Sequence, residues 1–398
     1  MKHPAQDDPG AAATATPARP RGIFAFANVA ALRRISRDDW ETVGLILAIK
    51  ALLFWYVFVT NEIRNDKWIK SLSDTLALFN HWDVGQYTNI ATVGYGAAGD
   101  ARLRLAFFPL YPWMVRAAGI VVHNPVVGGM VVSAIWSIVL GLALWRLVER
   151  EYGPEVAHRA VWFMFIFPAS YFLHLTYTES MFIALVVVSF LACLKDQWML
   201  AGLYGGLATL THDTGILLVA ALGIEALKQL RETRRWNNAW LWLGLIPAGF
   251  AMLMMVNWRI SGDPLAFMHV NGEHWSNHLR NPIAAYHQLG VVTWMNPAGA
   301  ETMGVQVFIF IMIGLIASVA SAWCLRASYT VWIAGNWLII ASLTWDLSAP
   351  RYTLAMFPIF ILFALAGRRL FWMRVLTLWS ILFLAMFSGE FVMGHWAF

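Results

Sequence analysis

The sequence predicts an all-α polytopic membrane protein, and three observations predict it. Of 398 residues, 59% are apolar and only 13% are Asp, Glu, Lys or Arg. An ordinary soluble domain has about 45–50% apolar and about 25% charged residues, so too little charge remains here to wet a surface of this size. Apolar runs of roughly 15–22 residues recur along nearly the whole chain, the length that crosses about 30 Å of hydrocarbon. Many of the 22 tryptophans sit near the ends of those runs, as in an interfacial aromatic belt.

Residues 1–39 stand apart. The stretch 11–20 is rich in Ala, Thr and Pro and lacks an apolar h-region, so this segment reads as a disordered cytoplasmic tail and not as a cleaved signal peptide. Residues 40–398 form the transmembrane domain, with eleven predicted spans at 40–59, 126–147, 158–175, 179–194, 198–211, 214–229, 238–258, 303–325, 330–347, 353–367 and 373–394. Several are only about 14–16 residues, below the usual 17–25. Irregular backbone at membrane depth is tolerated where it lines a cavity, so short spans point to breaks beside one.

Orientation follows from Lys and Arg. With the N-terminus in the cytoplasm, 18 of the 28 basic residues fall on that side, nine fall on the other, and Lys50 lies inside the first span. The cluster 228–235 and the pair Arg368/Arg369 carry most of this positive-inside bias. Two large non-cytoplasmic loops result, at 60–125 and 259–302. Within the first, the apolar stretch 110–122 is interrupted by Pro112 and Arg116 and is predicted to lie along the interface.

The net charge of +5 is spread over short clusters between apolar runs, which is topology signalling and gives no stripe for nucleic acid. Cys193 and Cys324 both fall inside or at the end of spans, which suggests neither a disulfide framework nor a cysteine metal site. Lys50 is costly mid-span unless it pairs with a carboxylate such as Glu225 or snorkels to the interface. In the second loop, His269, His274, His278 and His287 crowd together, with His274 and His278 at i, i+4 and Glu273 adjacent. This is not the H-E-x-x-H arrangement of a zinc site, no third ligand is nearby, and solvated loop histidines are the plainer reading. No cofactor is called for, and no ligand spacing demands a divalent metal.

Five polar motifs land on the non-cytoplasmic side: His81-Trp82-Asp83 with Tyr87, Phe107-Phe108-Pro109-Leu110-Tyr111-Pro112, Thr176-Tyr177-Thr178-Glu179-Ser180, Thr211-His212-Asp213-Thr214-Gly215, and Ser348-Ala349-Pro350-Arg351-Tyr352. An ionisable group at membrane depth costs at least about 2.5–3.5 kcal/mol, so Glu179, Asp213 and Arg351 imply a shared polar cavity. Asp83 is the candidate base that accepts a proton from an attacking hydroxyl; the plain alternative is a helix N-cap. Glu179 and Asp213 have the same plain alternative, a helix cap or break. Arg351 is the candidate for holding a phosphate through paired hydrogen bonds, against an interfacial anchor. His81 and His212 are candidate donors, and Trp82, Tyr87 and Tyr111 offer faces for a sugar or isoprene unit, with Tyr352 beside Arg351. The 107–112 motif itself reads as structural, its prolines fixing entry into the following helix.

Together these motifs resemble the PIG-V (GPI mannosyltransferase 2-like) family. The run His81-Trp82-Asp83-Val84-Gly85-Gln86-Tyr87-Thr88-Asn89-Ile90-Ala91 followed by Gly94-Tyr95 is similar to its "RWD…Y…IA..GY" segment. Residues 107–112 resemble its "FFPLYP", residues 167–170 with 177–180 its "P.S…YSE", and residues 211–215 its "TRxxG". The order agrees over roughly residues 40–230. His81 and His212 stand where the family pattern has Arg. The resemblance implies a GT-C-like bundle and an inverting glycosyltransferase, expected to be a mannosyltransferase. It implies transfer from a polyprenyl-phosphate sugar to an acceptor hydroxyl on a glycolipid, glycan or protein. The compact, Ala- and Arg-rich chain points to a bacterial plasma membrane, with the site on the non-cytoplasmic face. Two other classes fit the same residues: a lipid or solute transporter, against which stand the absence of a half-length repeat and the one-sided polar motifs, and a non-catalytic glycan-assembly subunit.

Overall fold

The computed structural model describes residues 36–65, 69–283, 304–344 and 347–398. The tail up to residue 35 and the part of the second loop from residue 284 on, His287 included, lie outside them. Every regular element among the described residues is helical, apart from one isolated antiparallel bridge between Leu279 and Leu343.

The helices run in order: α1 (Arg37–Asn65), α2 (Leu72–Ala77), α3 (Asp83–Thr92), α4 (Leu110–Val122), α5 (Pro125–Tyr152), α6 (Pro154–Ile166), α7 (Glu179–Cys193), α8 (Trp198–Thr209), α9 (Leu218–Thr233), α10 (Leu245–Ser261), α11 (Ala266–Trp275), α12 (Gly304–Cys324), α13 (Ala327–Ser342), α14 (Ala349–Thr353), α15 (Pro358–Ala366) and α16 (Leu370–Val392). Short 3-10 segments precede α4, α7, α9 and α10.

Two boundaries differ from the sequence expectation. The tail was expected to run to residue 39, but Ser36 already caps α1. Its Oγ accepts from the Asp39 N–H at 3.1 Å, and the Asp39 carboxylate accepts from the Ser36 N–H at 3.0 Å, a reciprocal capping box. At the other end α1 continues to Asn65, six residues beyond the predicted span, through the mostly polar residues 60–65 that follow the apolar run.

The expected eleven spans are the larger correction. Among the described residues five helices are long and apolar enough to cross a membrane: Arg37–Arg64, Pro125–Tyr152, Asn238–Ser261, Gly304–Cys324 and Leu370–Val392. A sixth exists if the pair Gly99–Ala106 and Leu110–Val122, bent by 113°, is one span. Helices do form at the other predicted positions, but proline and loop chemistry cut them short. The predicted span 158–175 stops at Ile166, before Phe167-Pro168, and the chain then makes a 3-10 turn at Ser170–Leu173. The residue before a proline is pushed out of the α region, and Phe167 sits at ψ 146°. Of the predicted span 353–367 only the nine-residue α15 is regular helix; α14 ends at Thr353, the span's first residue, and proline opens each of the two helices.

These short pieces form the interior. Helix α7 has nearly every side chain buried, packed between α5 and α8. Helix α4 does not lie alone. It folds back on α5 through His123, in the left-handed region at φ 55°, and Asn124, whose Oδ1 caps α5. Gly128 meets Gly119 so closely that a Cβ there would lie 2.6 Å from the Gly119 nitrogen. Lys50 donates to the carbonyl of His174 at 3.2 Å, not to Glu225 as the sequence suggested. Glu225 is engaged elsewhere: it accepts from Ser328 at 2.6 Å and lies 3.5 Å from Arg326, which also pairs with Glu151. That network ties α5, α9 and α13 at the end of α5 opposite its Pro125 start, roughly 40 Å away at 1.5 Å per residue.

Helices α8 and α10 approach through glycine. A Cβ on Gly249 would meet the Gly206 carbonyl at 2.1 Å, whereas one on Gly223 would meet nothing within 4 Å. Small residues allow such backbone approach in membrane bundles. Gly249→Val is therefore expected to destabilise the protein by about 1–3 kcal/mol through overpacking. Gly223→Val is expected to leave the thermal unfolding midpoint in detergent unchanged within error.

Candidate active site

A cavity of about 420 Å³ collects residues from eight separate stretches of chain. Its walls include Trp82, Asp83 and Tyr87 of the α3 region, Phe107 and Phe108 before α4, and Glu179 and Phe182 of α7. They also include His212 and Asp213 after α8, His274 and Trp275 of α11, Asn336 of α13, and Arg351 and Tyr352 of α14. Trp396 and Phe398 close it from the segment after α16.

Helix α3 starts in an unusual way. Trp82 occupies the N-cap position at φ 55° and ψ −120° and makes no capping hydrogen bond. A bulky residue at positive φ is an outlier that surrounding contacts must enforce. Those contacts are present: Tyr177 donates its hydroxyl to the His81 carbonyl at 3.2 Å, and the His81 ring packs edge-on against Phe391 of α16. The turn makes Asp83 the first helical residue, so its carboxylate is free of capping duty and reaches across the cavity.

There it meets Arg351. The Arg351 Nη1 donates to Asp83 Oδ2 at 2.7 Å, and its Nε donates to Glu179 Oε1. The guanidinium also lies over two rings, 4.7 Å from the Tyr177 centroid and 5.1 Å from that of Phe172. The side chains of Arg351 and Glu179 are 10% and 8% exposed, that of Asp83 32%. Burial alone would weaken the guanidinium's hold on its proton, but Glu179 and Asp83 outweigh it and keep Arg351 well above its ordinary value. The second Glu179 oxygen is buried and makes no hydrogen bond.

A second polar pair occupies another wall. His212 Nδ1 lies 2.7 Å from Asp213 Oδ1, and the His212 ring stacks on Phe182 at 4.8 Å and 27°. Tyr352 stands edge-on to that ring at 6.4 Å, its own phenol pushed up to about 12 by burial.

The sequence-derived candidates thus divide. Asp83, Trp82, Tyr87, Glu179, His212, Asp213, Arg351 and Tyr352 all line the cavity. Tyr87 is buried, which holds its phenol well above the ordinary range and keeps it a neutral hydrogen-bond donor. Two candidates do not line it. His81 turns toward α16, and burial lowers its pKa, so at neutral pH it carries no charge to offer a ligand. Tyr111 is fully buried behind Tyr87 and bonds to Ser133 at 2.9 Å. Both support the wall from behind. The loop histidines do not converge: α11 ends at Trp275, so His274 and His278 share no helix face, while Glu273 pairs with Arg102 and His269 with Asp263.

Sequence reasoning missed Phe182, Trp275, Asn336, Trp396 and Phe398. Asn336 carried a signal, as a polar residue amid a predicted span. The aromatic residues carried none, because interfacial and cavity tryptophans look alike in sequence.

Residues 108–258 match the family model described as dolichyl-phosphate-mannose-protein mannosyltransferase. Over 100 residues the chain is 30% identical to the Dol-P-Glc:Glc(2)Man(9)GlcNAc(2)-PP-Dol alpha-1,2-glucosyltransferase of Arabidopsis thaliana. That stretch is 23% of this chain and 19% of the plant enzyme, so the chain spans about a fifth of the curated relative it matches. Among solved structures it is similar to ArnT from Cupriavidus metallidurans bound to undecaprenyl phosphate, with TM-score 0.49, 12% identity, and coverage of 90% of this chain and 78% of that one. It is also similar to the Archaeoglobus fulgidus oligosaccharyltransferase in the apo form, with TM-score 0.48, 12% identity, and coverage of 89% and 56%.

A buried charge left without its partner is destabilising by about 3–5 kcal/mol. Arg351→Ala strands Glu179, whereas Asp83→Asn keeps a polar partner at the more exposed position. The thermal midpoint in detergent is expected to fall clearly for Arg351→Ala and to hold within a degree or two, roughly half a kcal/mol, for Asp83→Asn.

Proposed function

We propose that this chain is a membrane glycosyltransferase of the GT-C type. It moves a sugar from a polyprenyl-phosphate donor to an acceptor hydroxyl with inversion, at the non-cytoplasmic face. The observation that carries this reading is the Asp83 carboxylate, fixed by Arg351 yet one-third exposed to an aromatic-lined cavity. The family match over residues 108–258 supports sugar transfer from a lipid-phosphate donor, and it does not single out the PIG-V family. The PIG-V motifs at 81–112 and 167–215 supply that finer reading.

A hydroxyl becomes a competent nucleophile when a carboxylate accepts its proton during attack. In the proposed reaction Asp83 takes that proton. The acceptor oxygen bonds to the sugar's anomeric carbon, and the bond from that carbon to the phosphate oxygen breaks, its electron pair leaving with the phosphate. Arg351 is assigned a different part from the phosphate clamp expected from sequence. Its charge is already shared between Asp83 and Glu179, and the role that fits is to aim the base. The cavity also offers polar groups for sugar hydroxyls and flat faces for the ring, Trp82 and Tyr87 among them.

The donor sugar is proposed to be a hexose. Mannose follows from the motif resemblance, whereas the plant relative's name specifies glucose. The acceptor is a glycolipid, glycan or protein of the cell envelope. A transporter needs a cavity reached from both membrane faces in turn, whereas this reading needs one reached from a single face.

Purified protein in detergent is expected to transfer label from polyprenyl-phosphate mannose or its glucose counterpart to an envelope lipid extract. Asp83→Asn is expected to cut that transfer by roughly 10²–10⁴-fold, the usual worth of a positioned base, without loss of folded protein. Near-normal turnover by Asp83→Asn would remove it as the base.

A further inference from the structure

Past the end of α16 the chain reverses at Gly394, which is held at φ 76°, a conformation that favours glycine. The reversal brings Trp396 and Phe398 onto the cavity. Three contacts fix this short segment. His395 pairs with Glu390 of α16 at 2.6 Å, and the other Glu390 oxygen accepts from Arg64 of α1 at 2.6 Å. Tyr171 donates its hydroxyl to the Ala397 carbonyl, and the Phe398 ring packs edge-on against Phe387 at 4.7 Å. Between these anchors Trp396 stands edge-on to Trp82, with ring centroids 5.1 Å apart and planes at 75°. Both indoles line the cavity, and Trp82 is 48% exposed, so the corner they make is open. It lies beside the proposed base, because Trp82 directly precedes Asp83. Gln86, one turn further along α3, lines the same cavity with an amide that can both donate and accept.

We infer that Trp396 is a specificity-determining residue for the acceptor: with Trp82 it forms the corner that seats an acceptor sugar ring with its hydroxyl toward Asp83. The inference rests on the proposed transfer reaction and narrows its acceptor to a saccharide, free or carried on a lipid. Inversion brings the attacking oxygen in opposite the departing one, so the groups that flank the base flank the acceptor. A pyranose presents C–H groups on its ring faces and hydroxyls around its rim. The faces pack on indole rings, whose π-faces carry partial negative charge, and the rim needs polar partners such as Gln86. Two indoles at 75° bound such a ring on two sides. A bound extended peptide draws its affinity from main-chain hydrogen bonds, which two indoles do not supply. Glu390 is a positioning residue, because through His395 it holds the backbone that carries Trp396. Trp396 stands outside the motif stretches and outside the matched residues 108–258, so this assignment comes from the fold alone.

The test uses the full-length protein in a detergent without a sugar head group. Wild type is compared with Trp396→Phe, Trp396→Ala, Glu390→Gln and a remote control, Trp236→Ala, whose indole is 63% exposed between α9 and α10. Saturation-transfer NMR reads binding of methyl α-mannopyranoside and methyl α-glucopyranoside. Label transfer to the octyl glycosides of the same sugars reads the acceptor KM and the donor KM separately. Wild type and Trp236→Ala are expected to bind at least one glycoside. Trp396→Ala is expected to bind it roughly 3–10-fold more weakly, the worth of one aromatic contact. Its acceptor KM is expected to rise by the same factor while its donor KM holds. Trp396→Phe is expected to keep most of the affinity, and Glu390→Gln to fall between the two. Binding of neither glycoside by wild type, affinity indifferent to Trp396→Ala, or a donor KM that rises as far as the acceptor KM would overturn the inference. So would label that passes to a Ser/Thr peptide and to neither octyl glycoside. Failure of the transfer reaction itself reads differently: no label leaves the polyprenyl-phosphate sugar for any acceptor, while glycoside binding still depends on Trp396.

Discussion

Arg351 sits where three distant parts of the chain meet, and the cavity exists because they meet there. Its guanidinium draws Asp83 from α3 and Glu179 from α7 to one point and rests on the rings of Tyr177 and Phe172. Desolvating a guanidinium costs several kcal/mol, which only good geometry and paired charges return. Two carboxylates and two aromatic faces meet that condition. The cost of breaking the arrangement is a stranded buried charge, so the packing around it is under strong constraint. Tyr177 shows the constraint spreading: the ring under Arg351 also bonds through its hydroxyl to the carbonyl of His81. That bond helps hold the turn at Trp82 and so aims Asp83.

The broken helices have the same origin. A continuous helix at 158–175 would carry its backbone past the level where Tyr177 and Phe172 must lie. Proline at 168 ends it early, and the following 3-10 turn delivers both rings and the start of α7 to the cavity. Prolines 350 and 358 do the same on the other side, leaving α14 as a single turn that presents Arg351. Interruption costs backbone hydrogen bonds at membrane depth, and the structure confines it to where protein surrounds it. Ser137 accordingly bonds to the Leu173 carbonyl and Ser133 to that of Tyr177.

Composition made the fold class legible, because a chain with too little charge to wet its surface must place that surface against lipid. The charged site residues were legible for a related reason: Glu179, Asp213 and Arg351 are expensive in apolar surroundings, so their presence signals a cavity. What was not legible was partnership. Sequence order does not say that residue 351 returns to residue 83, and so Arg351 read as a phosphate holder although two carboxylates already occupy it. Span count was misread because hydropathy cannot tell a helix buried by protein from one bathed in lipid, and α7 is almost entirely the former. His81 was misread because a histidine beside a catalytic-looking aspartate invites a chemical role. Positive φ at Trp82 turns the two side chains apart, and no pattern of residue types reports a backbone outlier.

The two polar groups occupy separate walls of the cavity. Arg351 is held by carboxylates on both sides, while His212 lies against Asp213 on a separate wall. Tyr352 and Phe182 stand against the His212 ring, and they limit direct pairing across the cavity. Attack and departure on opposite sides of an anomeric carbon, as the proposed inversion requires, call for polar groups on two walls of a common space, and the Asp83–Arg351–Glu179 group and the His212–Asp213 pair occupy two such walls.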